Sequence, residues 1–459
     1  MILIKKIKFF CICFLSSILL VFLGCKKTLE EKSNQSLVIP TTIEDAQAIL
    51  DYNSILNENE PGSAEISADD YYLTDSDWSS LIIEQDQNTY KWKENDLFRL
   101  GTLGNDWGRC YSAVYYCNTV LDALRKIDKT PSNSTAWNNV LGQALVFRAS
   151  RFLGALQVWS LAYDENTYDT DLGIPLRINS DFNEISVRSN VKDSYEQVIS
   201  DLKQAIPLLP LISISTTRPS KPAAYALLAR TYLSMRKYKE AGLYADSCLI
   251  YKSGLINYNL LNTSLAFPIT VGNEETVFYK EVFTGDPINK IRAKIFDPLY
   301  RSYSEGDLRK KIFFVLNTDG SYSFKGNYTG RFALFGGIAT NEMYLTRAEC
   351  FARNGKMQEA MNDLNKLLEN RWTKVDFKPL IATNSDDALR IILSERRKEL
   401  LMRGLRWMDI KRLNKEGYGI SLTRIISGVR FVLPPNDLRF ALPIPDDVIK
   451  LSGMVQNPR

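Results

Sequence analysis

Two stretches of this chain repeat one spacing, and that spacing limits the folds open to it. Tyr225-x2-Leu228-Ala229-x2-Tyr232 is followed nine residues on by Ala241, then Ala245 and Cys248. Tyr344-x2-Arg347-Ala348-x2-Phe351 is followed nine residues on by Ala360, then Leu364 and Leu367. Residues three and four apart share a helix face, so each copy reads as two helices packed face to face. The small alanine lets the two axes approach, and the aromatic fills the gap beside it. Lys237-Tyr238 and Lys356-Met357 fall at the turns. A third first-helix echo, Leu145-x2-Arg148-Ala149-x2-Phe152, lacks a matching second helix.

This is the spacing of a tetratricopeptide helix pair. Further helical periodicity runs over about 105–128 and 135–160. Thr41 or Thr42 is placed to cap a helix whose first turn carries Glu44 and Asp45, favourable near the positive end of the helix dipole. Residues 57–80 read as loop, rich in acids and aromatics. Residues 251–338, between the two repeats, carry Gly, Asn, Ser, Thr and aromatics without sustained period. That segment is expected to be an inserted lobe of loops, short strands and short helices on a helical frame, where binding surfaces usually sit. With no low-complexity break, residues 41–459 are expected to form a single unit.

The N-terminus reads MILIKKIKFFCICFLSSILLVFLGCKK. Lys5, Lys6 and Lys8 precede an apolar run from Phe9 to Leu23, shorter than the roughly 20 residues that span a bilayer. Residues 1–24 therefore read as a signal peptide. The run ends at Gly24-Cys25, similar to a bacterial lipobox, so Cys25 is the expected lipidation site and residues 25–40 a polar tether. An acyl chain would hold the protein on a membrane surface. Removing residues 1–24 takes three lysines and no acid, leaving 54 basic against 53 acidic residues. No basic field of the kind a nucleic-acid binder needs remains, and no nucleic-acid partner is expected.

The chain has no histidine, which removes the usual general base and the commonest zinc ligand. Cys110, Cys117, Cys248 and Cys350 show no metal spacing and read as small buried residues. GTLGNDWG lacks the dinucleotide spacing and a following Lys-Ser/Thr, and no GxSxG occurs. ADDYYLTDSDW (68–78) and YDENTYDTDLG (163–173) hold enough acids for calcium but not in an EF-hand pattern, and read as solvated loops. No cofactor, metal site or catalytic residue is expected. Aromatics are the better lead, because sugar rings and peptide side chains stack on Tyr and Trp. Tyr71, Tyr72 and Trp78 in one polar loop, and Tyr300, Tyr303, Tyr322 and Tyr328 in the lobe, are the candidate ligand contacts. Trp107, Trp137, Trp159 and Trp407 lie in helical segments and read as core.

Four stretches then resemble the SusD/RagB family. They are LEEKSNQSLVIPTTIEDAQAIL behind the lipobox-like end, LVFRASRFLGALQVWSLAYD with GIPL, NEMYLTRAECFARNGKMQEAMNDLNKLLENRW, and ERRKELLMRGLRWMDIKR with FALPIPDDVIKLSGMVQNPR. Arg403 stands where the family commonly has an acid, and the frequent terminal Gly-Tyr is missing. The resemblance implies a mostly α protein, a right-handed tetratricopeptide-like α-α superhelix with an irregular, loop-rich ligand-binding lobe. It also implies an outer-membrane surface lipoprotein that captures an oligosaccharide or peptide without cleaving it and passes it to a SusC-like TonB-dependent barrel. A periplasmic tetratricopeptide scaffold that binds another protein is the alternative, and a glycan-cleaving enzyme is a third class.

One stretch needs its own account: LSERRKELLMRGLRWMDIKRL, residues 393–413, holds seven Lys or Arg against three acids. Glu399–Arg403, Arg406–Asp409 and Asp409–Arg412 have ion-pair spacing on a helix. Trp407 is apolar and available for burial, and Gly404 can end one helix before the next. Glu399, Arg403, Arg406, Trp407 and Asp409 are thus expected to be structural, the arginines tied to partners inside the molecule.

Overall fold

The computed structural model describes residues 40–94, 97 and 105–459. The signal peptide, Cys25 and all of the tether but Pro40 lie outside the described residues. Thr42–Arg459 form one compact unit. Its first helix, α1 (Ile43–Leu50), starts where the sequence places it: Thr42 and Asp45 cap each other's backbone N–H groups reciprocally. α2 (Asp106–Leu124) and α4 (Val191–Ala205) both pack against the long α3 (Ser134–Trp159).

Both repeats are helix pairs. The first is α5 (Lys221–Ser234) with α6 (Tyr238–Tyr251), and the second is α7 (Thr340–Arg353) with α8 (Met357–Glu369). α6 packs directly on α7, so the pairs stack although the whole lobe separates them in sequence. Ala229, Ala241, Ala245, Ala348 and Ala360 are fully buried at these contacts, as the close approach of axes requires. The third echo lies on α3. Its partner is α4, reached only after the β2 (Leu172–Pro175) and β3 (Arg188–Asn190) hairpin, which is why no second helix followed at repeat spacing.

The remaining strands pair two by two and antiparallel. β1 (Tyr71–Tyr72) joins β6 (Lys294–Ile295), β4 (Thr276–Phe278) joins β10 (Ile338–Ala339), and β5 (Glu281–Val282) joins β9 (Leu334–Phe335). β7 (Phe314–Leu316) pairs β8 (Tyr322–Phe324), and β11 (Leu422–Ile426) pairs β12 (Val429–Leu433). The lobe's core joins Tyr303, Phe313, Phe324 and Phe335 to Ile66, Tyr71, Leu81 and Tyr90. Packing therefore extends the lobe beyond 251–338 into residues 63–90. Residues 57–80, read as loop, contain the short helices Ser63–Ser67 and Asp75–Ser79, and a third, Glu84–Tyr90, follows.

The arginine-rich stretch forms the end of α9 (Ser385–Glu399), a turn at Gly404 (φ +72°), and α10 (Arg406–Asn414). Only glycine enters that left-handed turn freely. Asp409–Arg412 pairs as expected at 2.8 Å, and Asp409 also holds Arg396 at 2.8 Å. The other two expected pairs are corrected. Arg406 turns away from Asp409 to Asp69 at 2.7 Å. Glu399 does not pair with Arg403: it faces Arg371 at 2.8 Å and Arg309 at 3.2 Å, fully buried. Its helix ends at Glu399, so Arg403 is no longer on the same helical face. Trp407 is 1% exposed and packs on Phe440. Five of the run's seven cations reach acids of the fold: Arg396, Arg397, Lys398, Arg406 and Arg412.

Candidate functional site

A broad aromatic groove lies on the scaffold, where α2, the loop 177–186 and α11 (Asp446–Ser452) meet. Its volume is about 610 Å³. One wall is a single face of α2: Trp107, Tyr111, Tyr115 and Asn118 recur at i, i+4, i+8 and i+11, a continuous ridge on a helix of 3.6 residues per turn. Trp107 stacks on Tyr111 at 4.6 Å between ring centres and against Trp159 at 4.9 Å. Tyr115 carries Phe182 of the facing loop at 4.4 Å.

The loop is fastened to α2 by backbone contacts. Asn118 donates to the carbonyls of Arg177 (2.8 Å) and Asn179 (3.0 Å), and Arg148 donates to Asn118 Oδ1 at 2.9 Å. Asp122 accepts from the Ser180 N–H and hydroxyl. Tyr111 donates to the Pro175 carbonyl at 3.0 Å, and burial pushes its phenol well above the ordinary range. Gly173, in the strand that leads into this loop, packs against the start of α4, where a Cβ would lie 2.2 Å from the Asn190 carbonyl oxygen. Asn179, Asn183, Arg177, Glu184 and Ser186 supply the polar side of the lining.

The opposite wall brings Val448, Leu451, Ser452 and Met454. It is held by groups that close the C-terminus of α3, whose last carbonyls need partners. Asn457 donates to the Trp159 carbonyl, and Lys411 donates to those of Gln157 and Ser160. Arg188 bridges the carbonyls of Trp159, Gly173 and Val455, and burial lowers it to about 10. Cations belong at that negative end of the helix dipole. The groove is thus preformed by stretches remote in sequence.

The groove's described lining includes none of the seven aromatics expected from sequence. Three of those are corrected outright. Tyr71, Tyr303 and Tyr328 are at most 3% exposed, and their hydroxyls serve the Ile66 carbonyl, the Lys398 carbonyl and Glu275. They are core residues of the lobe, with no face free for a ligand. Tyr72 is 37% exposed, the outward partner of buried Tyr71 on a strand whose successive side chains alternate. Tyr300 and Tyr322 are half-buried and stack at 3.6 Å. Trp78 is half-buried, its indole N–H on the Gln87 carbonyl and Lys91 5.1 Å over its ring.

The four helical tryptophans pack as expected. Trp107, Trp159 and Trp407 are buried and Trp137 is half-buried, yet Trp107 also borders the groove. Cys110, Cys117, Cys248 and Cys350 are buried and free. The acids of 68–78 are engaged within the fold. Asp69 and Asp70 pair with Arg397, Asp75 accepts from the Ser427 N–H, and Asp77 caps the helix behind Thr74.

With this geometry established, comparison with known proteins places the chain. The family profile described as "Starch-binding associating with outer membrane" matches residues 27–233, and that described as "SusD family" matches residues 338–459. The span between the two matches is close to the loop-rich segment. SusD-like protein P38 of Formosa agariphila is 23% identical over 390 residues, 67% of this chain and 72% of that protein. A SusD superfamily protein from Bacteroides thetaiotaomicron has the same fold, with TM-score 0.71 and 22% identity over 91% of this chain and 100% of its own. A putative sugar binding protein from Bacteroides vulgatus also shares it, with TM-score 0.71 and 21% identity over 92% and 99%. The two profiles match the N-terminal and C-terminal parts of one and the same fold: the chain belongs to the SusD/RagB family.

Proposed function

We propose that this protein captures an oligosaccharide at the outer membrane, without cleaving it, and delivers it to a SusC-like TonB-dependent barrel. The observation that carries the reading is the ridge of Trp107, Tyr111 and Tyr115 facing an amide-rich loop across a preformed groove of about 610 Å³. Apolar ring faces beside fixed polar groups suit the two faces of a sugar ring. The family's description, the sugar-binding relative and the lipobox at Cys25 support the same reading, Cys25 supplying the lipid anchor. Tyr72, Tyr300, Tyr322 and Trp78 are proposed as a second, weaker contact surface on the lobe.

One observation favours a peptide ligand in the same groove. Its rim is apolar, with Phe182 71%, Ile185 76% and Leu451 88% exposed. Calorimetry of residues 26–459 against panels of oligosaccharides and peptides separates the two. Binding of a glycan without product release, lost in Tyr115→Ala and retained in Tyr72→Ala, is the expected result. Binding that survives Tyr115→Ala but fails in Tyr72→Ala or Tyr322→Ala would move the site to the lobe. Shortening of the glycan would end the non-catalytic reading.

A further inference from the structure

Beneath the turn at Gly404 lies a small polar cavity of about 40 Å³, bordered by Glu60, Ser150, Gln157, Arg230 and Arg403. A water-sized particle needs roughly 10–15 Å³ on this measure, so there is room for about three. Arg403 is 3% exposed. Its guanidinium lies 4.4 Å from the ring centre of Phe335 and 4.7 Å from that of Tyr328. Among the described residues, no acceptor reaches its Nε or Nη2.

The surrounding acids are already engaged. Glu60 is held by Lys280 and by Arg151 (3.2 Å). Glu342 is held bidentately by Arg230 at 2.7 and 2.8 Å, and Glu275 by Arg371 at 2.6 Å. Arg151, Arg230, Lys280 and Arg403 stand around Glu60 and Glu342, while Glu275 is taken up by Arg371 and Glu65 by the Gly404 N–H at 2.8 Å, so among the described residues no carboxylate is left over for Arg403. An unpaired charge kept from water costs several kcal/mol, and guanidinium cannot relieve the cost by losing its proton. Ring stacking offsets only part of it. The buried guanidinium and its two donors without a protein acceptor, beside a cavity of this size, call for one occupant of opposite sign.

We propose that this cavity is a binding site for a small inorganic anion of halide size, held by Arg403 Nε and Nη2. The ion neutralises the buried guanidinium and fastens the turn between α9 and α10 to α3 and α5, independently of any nutrient in the groove. Anomalous diffraction from crystals grown in bromide tests this directly. The expected result is one peak in the cavity within hydrogen-bond distance of Arg403. A parallel melt of residues 26–459 at constant ionic strength, with gluconate exchanged for bromide, should show a saturable rise in Tm of about 2 °C. Arg403→Met, which keeps an apolar stem on Phe335, should abolish that rise. A cavity holding only water, a bromide-independent Tm, or an equal bromide effect in Arg403→Met would each overturn the site. The wild-type diffraction experiment decides the matter even if the variant fails to fold.

Discussion

The repeat scaffold and the inserted lobe solve the same problem by different means. The scaffold is fastened first by shape, with a few buried pairs such as Arg230–Glu342 and Arg148–Asp201 added: Ala229, Ala241, Ala348 and Ala360 let helices touch, and Tyr232 stacks on Tyr244 within the first pair. The lobe has only short strands, and it is fastened by charge. Arg371 joins Glu275 of the lobe to Glu399 of α9 and donates to the Ile256 carbonyl, all fully buried. Arg309 joins Asp307 to Glu395 and Glu399. Burial would raise the Glu399 carboxyl, but Arg371 and Arg309 hold it below the ordinary range. Where periodic packing is missing, buried ion pairs fix the register of loops against the frame. The price is sensitivity to the loss of either partner.

The sharpest way to break the comparison is to remove one cation. Arg371→Met leaves Glu275 and Glu399 buried without it, and should cost about 3–5 kcal/mol. Hydrogen exchange should show lobe amides near Ile256 and Glu275 losing protection before those of α5 and α6. An equal loss in both regions would mean that lobe and scaffold are one cooperative unit. A second change acts in the opposite direction. Burial, then the neighbouring Asp70, push Glu65 from 4.5 up to about 8. Between those values the folded protein holds a proton that the unfolded chain has released, so stability falls as pH rises from about 4.5 to about 8. Glu65→Gln removes that slope, worth up to about 1.4 kcal/mol per pH unit. Urea unfolding at pH 5 and pH 8 checks it: wild type should weaken between the two and the variant less so.

The same contrast decides what the sequence could disclose. The scaffold was legible because its contacts are periodic: the two repeats, the Thr42 cap and the core tryptophans each follow from local spacing. The lobe's fastening was not, because Arg371 and Glu275 are remote in sequence and no spacing rule joins them. Composition marked Tyr71, Tyr303 and Tyr328 as loop aromatics, yet loops packed against a frame have cores of their own, and those three are inside it. The groove had one signal available. Trp107, Tyr111, Tyr115 and Asn118 fall on one helix face, but an aromatic face on a helix reads as core until its neighbours are known. Phe182 and Leu451, which complete the groove, come from a loop and the last helix and have no local signature.

Shape should be more forgiving than charge, and the smaller predicted effects test that. Ala348→Leu places three extra carbons where α7 meets its neighbours with no exposed surface, and should cost about 1–3 kcal/mol by overpacking. Unlike Arg371→Met, it should reduce protection along α6, α7 and α8 together, since the strain sits in the stacked pairs rather than in one loop. Smaller still is Thr42→Ala, which removes a helix cap at the start of α1. It should cost about 1 kcal/mol and fray only that helix. If Ala348→Leu proved as costly as Arg371→Met, the scaffold would depend on exact fit as much as the lobe depends on charge, and the contrast between the regions would collapse. If Ala348→Leu is absorbed by small shifts of α6 and α8, the repeats can breathe without releasing the lobe. A protein that must hold a loop-built surface steady on a stack of helices needs that separation.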